Sequence, residues 1–261
     1  KSVNENDRRC IQPKCPHTKE QGLKRSTTTI KNSSSSEKYI SVVILSAGAG
    51  LRIRSNEPRS LIKIKDKTLI NHQIEAVYNS FKACEIIGVF GIHIDKIIKK
   101  VDSRIRVVEN QLYEDTNNSE SMRLGLNNAL FENVMFIHGD IYFDSTLLKD
   151  ANYNKSFLVL DANNDMDEKE VGATVNEKHV SILSYGLSKK WCQICYLTGR
   201  ELKILKNIFS KFKTQDKKML SFELLNKVME NGGSFNFYEK KGSRVVEIDC
   251  IKDLNNENFN L

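Results

Sequence analysis

The chain has 261 residues, 39% of them hydrophobic, and a formal charge of +7. That is enough apolar material for one substantial core, and no apolar run approaches the ~18 residues that span a bilayer. Residues 1–40 carry nine Lys/Arg against four Asp/Glu, so +5 of the charge sits there and +2 in the remainder. A nucleic-acid binder concentrates basic charge on a folded face. Nucleic acid is therefore not an expected partner of the folded part, and neither is a membrane.

Residues 1–38 read as a basic, polar leader. Its tract "STTTIKNSSSSEK" buries too little area to offset chain entropy. It is expected to be disordered, or an attachment arm for another protein or a polyanion. Cys10, Cys15 and His17 lie within it, but a structural zinc needs four ligands and no fourth follows nearby. Reduced thiols are the expectation for these and for Cys84, Cys192, Cys195 and Cys250, as in a cytoplasmic protein without a secretory signal.

From residue 39 onward a single domain, 39–261, is expected. Strand-like runs at 40–46, 85–90, 105–109 and 133–138 alternate with helical patterns at 69–81, 94–100 and 119–130. Such alternation argues for parallel βαβ units. Short strand-like runs follow at 156–160, 170–174, 179–184 and 192–197, then helices at 199–212 and 217–230, then strands at 234–238 and 244–248. The predicted class is α/β, a Rossmann-like open mixed sheet, mostly parallel and flanked by helices.

The first strand stops at "SAGAGLRIRSNEPRSL", beyond the carboxyl end where open α/β sheets bind ligands. Gly48 and Gly50 let backbone N–H groups face an anion, and Arg52 and Arg59 add forked donors that match phosphate oxygens. The residues alone leave two readings open, a phosphate cradle or an ordinary turn with exposed arginines. A Walker loop is excluded because no Gly-Lys-Ser/Thr follows. A dinucleotide loop is excluded because no helix opens there.

The stretch Leu45, Ser46, Ala47, Gly48, Ala49, Gly50, Leu51, Arg52, followed by Pro58, Arg59, Ser60, Leu61, resembles the sugar-phosphate and phosphocholine nucleotidyltransferase family. That family's signature runs Leu-Ala-Ala-Gly-x-Gly-x-Arg and then Pro-Lys-x-Leu. The likeness continues in order through "VENQLYEDTNNSESMRLGLNNAL", "VMFIHGDIYFD", "YLTGRELKIL" and "SRVVEIDCIKDL". It covers residues 40–257 and, among subfamilies, most resembles bacterial phosphocholine cytidylyltransferases.

The resemblance implies transfer of a nucleotide from an NTP, CTP favoured, to a small phosphorylated acceptor such as phosphocholine, a phosphonate or a sugar phosphate. It implies nucleotide contacts at Ala47, Gly48, Ala49, Gly50, Leu51, Arg52, Asn117 and Ser119. It places Mg²⁺ on Asp140 and Asp249, and catalytic roles on Arg52, Arg59, Asp140 and Asp249. Each aspartate ends an apolar strand, and Mg²⁺ favours one or two carboxylates with substrate phosphates. Arg59 stands where the family carries lysine, which is not a neutral exchange.

Three acceptor contacts are expected. Trp191 or Tyr196 could present an aromatic face to a quaternary ammonium or belong to the core or its rim. Glu223 could meet the acceptor or lie on an exposed helix face. Two other activities remain open: sugar transfer from a nucleotide sugar, for which "HGDIYFD" lacks the usual Asp-x-Asp spacing, and a degenerate, non-catalytic relative. "WCQIC" has the spacing of a redox pair but continues a strand, so redox chemistry is not expected.

Overall fold

The computed structural model describes residues 38–48, 58–161, 168–243 and 245–248. The readings placed on residues 1–37 (including Cys10, Cys15 and His17), on Ala49, Gly50, Leu51 and Arg52, and on Asp249 lie outside them.

The first half follows the predicted alternation. Strand β1 (Ile40–Ser46) is followed by one turn of 3-10 helix (Arg59–Leu61) and the hairpin β2 (Lys63–Ile64) and β3 (Lys67–Thr68). Then come α1 (Leu69–Ser80), β4 (Cys84–Phe90), α2 (Ile94–Ile98), β5 (Arg106–Glu109), α3 (Asn118–Asn127), β6 (Asn133–His138) and β7 (Ile141–Phe143). Helix α1 forms because Ile70, Ile74 and Val77 recur at helical spacing and are all buried. Strand β1 is buried almost throughout because it pairs in parallel on both sides, with β4 and with β6.

The second half comprises β8 (Phe157–Asp161), β9 (Val171–Asn176), β10 (His179–Tyr185), β11 (Lys189–Thr198), α4 (Gly199–Ser210), a 3-10 turn (Thr214–Lys218), α5 (Ser221–Glu230), β12 (Asn236–Tyr238) and β13 (Val245–Glu247). The helix expected at 217–230 starts only at Ser221. Leu220 is extended, and Glu223 reaches back to accept from its N–H at 2.7 Å, which fixes the start of α5.

The main sheet has the order β5-β4-β1-β6-β11-β8-β12-β10-β9. Only β10 and β11 run against the direction shared by its other strands. The expected mixed, mostly parallel α/β sheet is therefore what forms. Alternate residues of β1 divide between two cores. Ile40, Val42 and Ile44 pack with α1 on one face, and Val43 and Leu45 pack with α3, α4 and α5 on the other. A third, small cluster joins Ile62, Ile64 and Leu69 to Ile248 and Tyr142. It fastens the end of the chain's last described strand to the hairpin just after Arg59.

No helix among the described residues is long and apolar enough to cross a membrane.

Candidate functional site

The carboxyl ends of β1, β4, β5 and β6 share one edge of the sheet, and the site assembles there. Ala47 leaves β1 with its carbonyl accepting from the Ile92 N–H at 3.3 Å. Gly91 permits that approach, since a Cβ there would lie 2.5 Å from the Ala47 oxygen. Gly48 follows, exposed, and a Cβ on it would meet no other described residue within 4 Å.

Asp140 is set against this edge by its neighbours. The Gly139 N–H donates to the Leu45 carbonyl at 2.8 Å, and a Cβ on Gly139 would be 2.5 Å from Cβ of Ser46. Only glycine can cross the end of β1 this closely. The side-chain amide of Gln73, buried on α1, donates to the carbonyls of His138 and Ile141 at 2.8 and 2.7 Å. It grips the chain on both sides of the Gly139-Asp140 corner. The Asp140 carbonyl accepts from Ile248 N–H at 2.8 Å, which extends the pairing of β13 with β7. The residue preceding Asp249 is thereby held against the backbone of Asp140.

The carboxylate of Asp140 meets Arg59, whose Nη1 donates to Oδ2 at 3.0 Å. The other oxygen, Oδ1, is buried and has no hydrogen-bond partner among the described residues. A buried carboxylate oxygen left in this state is a fitting ligand for a hard cation. The described residues contain no group of three or more potential metal-ligating side chains. Mg²⁺ is a hard cation of that kind, taking one or two carboxylates together with water and phosphate oxygens.

His138, just before the corner, is buried and shares a hydrogen bond with Ser221 at the start of α5, Nε2 to Oγ 2.9 Å. Burial holds its pKa below the usual histidine value, opposed by the charge of Asp140 and a hydrogen bond with Gln193. Its ring packs edge-on against Trp191. Gln193 sits at an irregularity of β11 with φ +58 and donates to Glu247 Oε2 at 2.8 Å. A non-glycine residue in that region marks a locally constrained backbone, here one that turns its side chain toward β13.

On the β5 side, Asn117 caps α3, its Oδ1 accepting from Asn118 N–H at 2.9 Å. Ser119 is fully buried, and its hydroxyl donates to the Asp216 carbonyl at 3.1 Å. Asn117 N–H donates to Lys217 O at 2.8 Å, and Ser119 N–H to Met219 O at 3.3 Å. Both residues thus strap the Thr214–Lys218 turn to α3, and the Ser119 hydroxyl is committed to that strap. Glu120 reinforces it through Arg123 (2.7 Å) and Lys217 (3.4 Å). Burial works to raise the Glu120 pKa, but its hydrogen bonds and charge contacts with Arg123 and Lys217 outweigh that and hold it below the usual carboxylate range.

The expected aromatic face is enclosed. Trp191 is buried with Nε1 donating to Ile194 O at 3.1 Å, and Tyr196 is fully buried with its hydroxyl donating to Tyr153 O at 3.0 Å. Neither offers a face to a ligand arriving from solvent, because β11 runs through the middle of the sheet and both its faces are covered. Glu223 lies on the exposed side of α5, with its carboxylate engaged in the cap described above. Cys192 and Cys195 are buried, and burial raises both thiols, that of Cys192 to about 12. This is the reverse of the activation that redox chemistry needs.

Sequence reasoning missed Gln73, Gln193 and Ser221. Gln73 did carry a signal, a polar residue inside the apolar stripe of α1. Gln193 and Ser221 reach the corner only through the sheet order, which no local pattern encodes.

Residues 42–153 match the family model of the MobA-like NTP transferase domain. No curated protein matches the chain. Among solved structures, the CTP:phosphocholine cytidylyltransferase from Streptococcus pneumoniae is similar with a TM-score of 0.69 at 20% identity, covering 83% of this chain and 96% of that one. The inositol-1-phosphate CTP transferase from T. maritima has a TM-score of 0.71 at 19% identity, covering 84% and 93%. A UDP-glucose pyrophosphorylase complexed with UDP-glucose has a TM-score of 0.62 at 15% identity, covering 82% and 94%. At these identities the likeness establishes the fold, the mixed, mostly parallel α/β sheet flanked by helices.

Proposed function

We propose, from a chain whose residues 42–153 match the MobA-like NTP transferase domain, that this protein transfers a nucleotide from an NTP, CTP favoured, to a small phosphorylated acceptor and releases pyrophosphate. The observation that carries the reading is the corner at Gly139-Asp140. It presents a carboxylate with one buried oxygen that has no hydrogen-bond partner among the described residues, at the edge of the sheet where β1 ends.

The chain's own residues account for most of the work. The backbone from Ala47 onward, with Arg52, receives the triphosphate, and Arg59 adds a second guanidinium. An oxygen of the acceptor phosphate or phosphonate attacks the α-phosphorus in line. The bond from that phosphorus to the bridging oxygen breaks, and pyrophosphate leaves with the electron pair. No covalent enzyme intermediate is required, because positioning and charge complementarity supply the rate. Asp140, with Asp249 as the second carboxylate, would hold Mg²⁺, which when bound neutralises charge on the attacking and leaving oxygens. Gln73, Gly139 and Ile248 position Asp140 without touching substrate.

The test is pyrophosphate release by the full chain across the NTPs and a panel of phosphocholine, aminoalkyl phosphonates and sugar phosphates. Release that requires both substrates, and that falls on the order of a hundredfold or more in Asp140→Asn, supports the reading. Nucleotide binding without release for any acceptor, or release indifferent to Asp140, contradicts it.

A further inference from the structure

The ion pair between Arg59 and Asp140 places a fixed positive charge on the carboxylate assigned to the metal. Arg59 Nη1 lies 3.0 Å from Oδ2, with the two side chains 19% and 21% exposed. Partial burial weakens screening, so each charge depends on the other more than a surface pair would.

Both partners are held by their backbones. The Asp140 backbone is held by the Gly139–Leu45 and Ile248–Asp140 hydrogen bonds and flanked by the two from Gln73. The Arg59 backbone is likewise fixed, in a single 3-10 turn closed by Leu61 N–H to Pro58 O at 2.9 Å and Ile62 N–H to Arg59 O at 3.0 Å, with Leu61 and Ile62 buried. Between these two held backbones the contact is made by the long side chain of Arg59, whose guanidinium meets Asp140 Oδ2.

We infer that Arg59 is a resident counter-ion of Asp140, exchanged for the metal when the triphosphate arrives. In the free protein the guanidinium neutralises Asp140 and repels a divalent cation from the orphaned oxygen Oδ1. A bound triphosphate supplies the negative charge that draws Arg59 off Oδ2, and the carboxylate is then released to the metal. Metal and nucleotide therefore bind with positive coupling, and that coupling is reciprocal. Arginine suits this role better than lysine, because its fork can hold a carboxylate oxygen with one nitrogen while the others meet phosphate. The inference rests on the assignment of Asp140 to the metal made above.

The experiment is Mn²⁺ binding to the full chain without nucleotide, read as the loss of the free-ion electron paramagnetic resonance signal. Wild type is expected to bind weakly, Arg59→Met about tenfold more tightly, and Arg59→Lys, which keeps the charge, as weakly as wild type. In Asp140→Asn and in Arg59→Met with Asp140→Asn, the binding is lost. Equal, weaker or no binding by Arg59→Met overturns the exchange, as does equal tightening by Arg59→Lys, which would make the effect steric. Undiminished binding by Asp140→Asn overturns the metal assignment beneath it, and is thereby told apart from failure of the exchange alone.

Discussion

The segment from β1 to β7 and the segment from β8 to β13 are built to different rules. In the first, β1, β4, β5 and β6 lie side by side in parallel and end at one edge, and β1, β4 and β6 are largely buried. In the second, β10 and β11 run in reverse, β11 is broken in register at Gln193, and β9 pairs with both β10 and β11. The contrast separates two tasks. The parallel half supplies the Asp140 corner, whereas the second half sends single residues to that corner from distant points: Ser221, Gln193 with Glu247, and Ile248. Residues 42–153, those matched by the family model, stop before the second half begins.

If the parallel half sets the corner, crowding it should have the largest effect. Gly139→Val puts a branched side chain where even a Cβ would be 2.5 Å from Ser46 and 2.8 Å from the Leu45 carbonyl. It is expected to destabilise by up to about 3 kcal/mol and to abolish turnover while NTP binding weakens less. Chemical denaturation together with steady-state kinetics checks both, and normal turnover would show that the close crossing is not what aims Asp140.

The strap between α3 and the Thr214–Lys218 turn joins the halves, and it is expected to depend on pH. Glu120 has a folded pKa below its ordinary 4.5. Its contribution is therefore complete above that value and is lost as the pH falls through the folded pKa. Glu120→Gln is expected to cost about 1.5–3 kcal/mol at neutral pH and to flatten the stability profile on the acid side. Denaturant midpoints between pH 7 and 3 would show it; parallel profiles for the two proteins would place the acid sensitivity elsewhere.

The smallest effect is expected inside the second half. Trp191→Phe removes the donor to the Ile194 carbonyl, at about 1 kcal/mol, while the KM for the acceptor stays unchanged. A raised acceptor KM at unaltered NTP affinity would return Trp191 to the binding surface that its burial denies it.

The same division governs what the sequence made legible. The expected strands at 40–46 and 133–138 form with those bounds because an unbroken apolar run between turn signals has few alternatives in a parallel sheet. Gly48, Arg59 and Asp140 could be singled out because each sits at a strand end or in a loop, where glycine and charge have local meaning. For Trp191 and Tyr196 the sequence left two readings open, because aromatic residues in a strand read alike whether they face ligand or core. That choice is made by the neighbouring strands β6 and β8, which are distant in sequence. The Arg59–Asp140 pair spans 81 positions, a separation no spacing rule reaches, although the arginine itself was visible as a departure from the family's lysine.

The most direct measurement is the anomalous signal of Mn²⁺ in crystals of the full chain grown with CTP. The account predicts a metal on a carboxylate oxygen of Asp140, with the Arg59 guanidinium moved from Oδ2 onto phosphate. A metal bound away from Asp140, with the Arg59–Asp140 pair intact beneath a bound nucleotide, would contradict it.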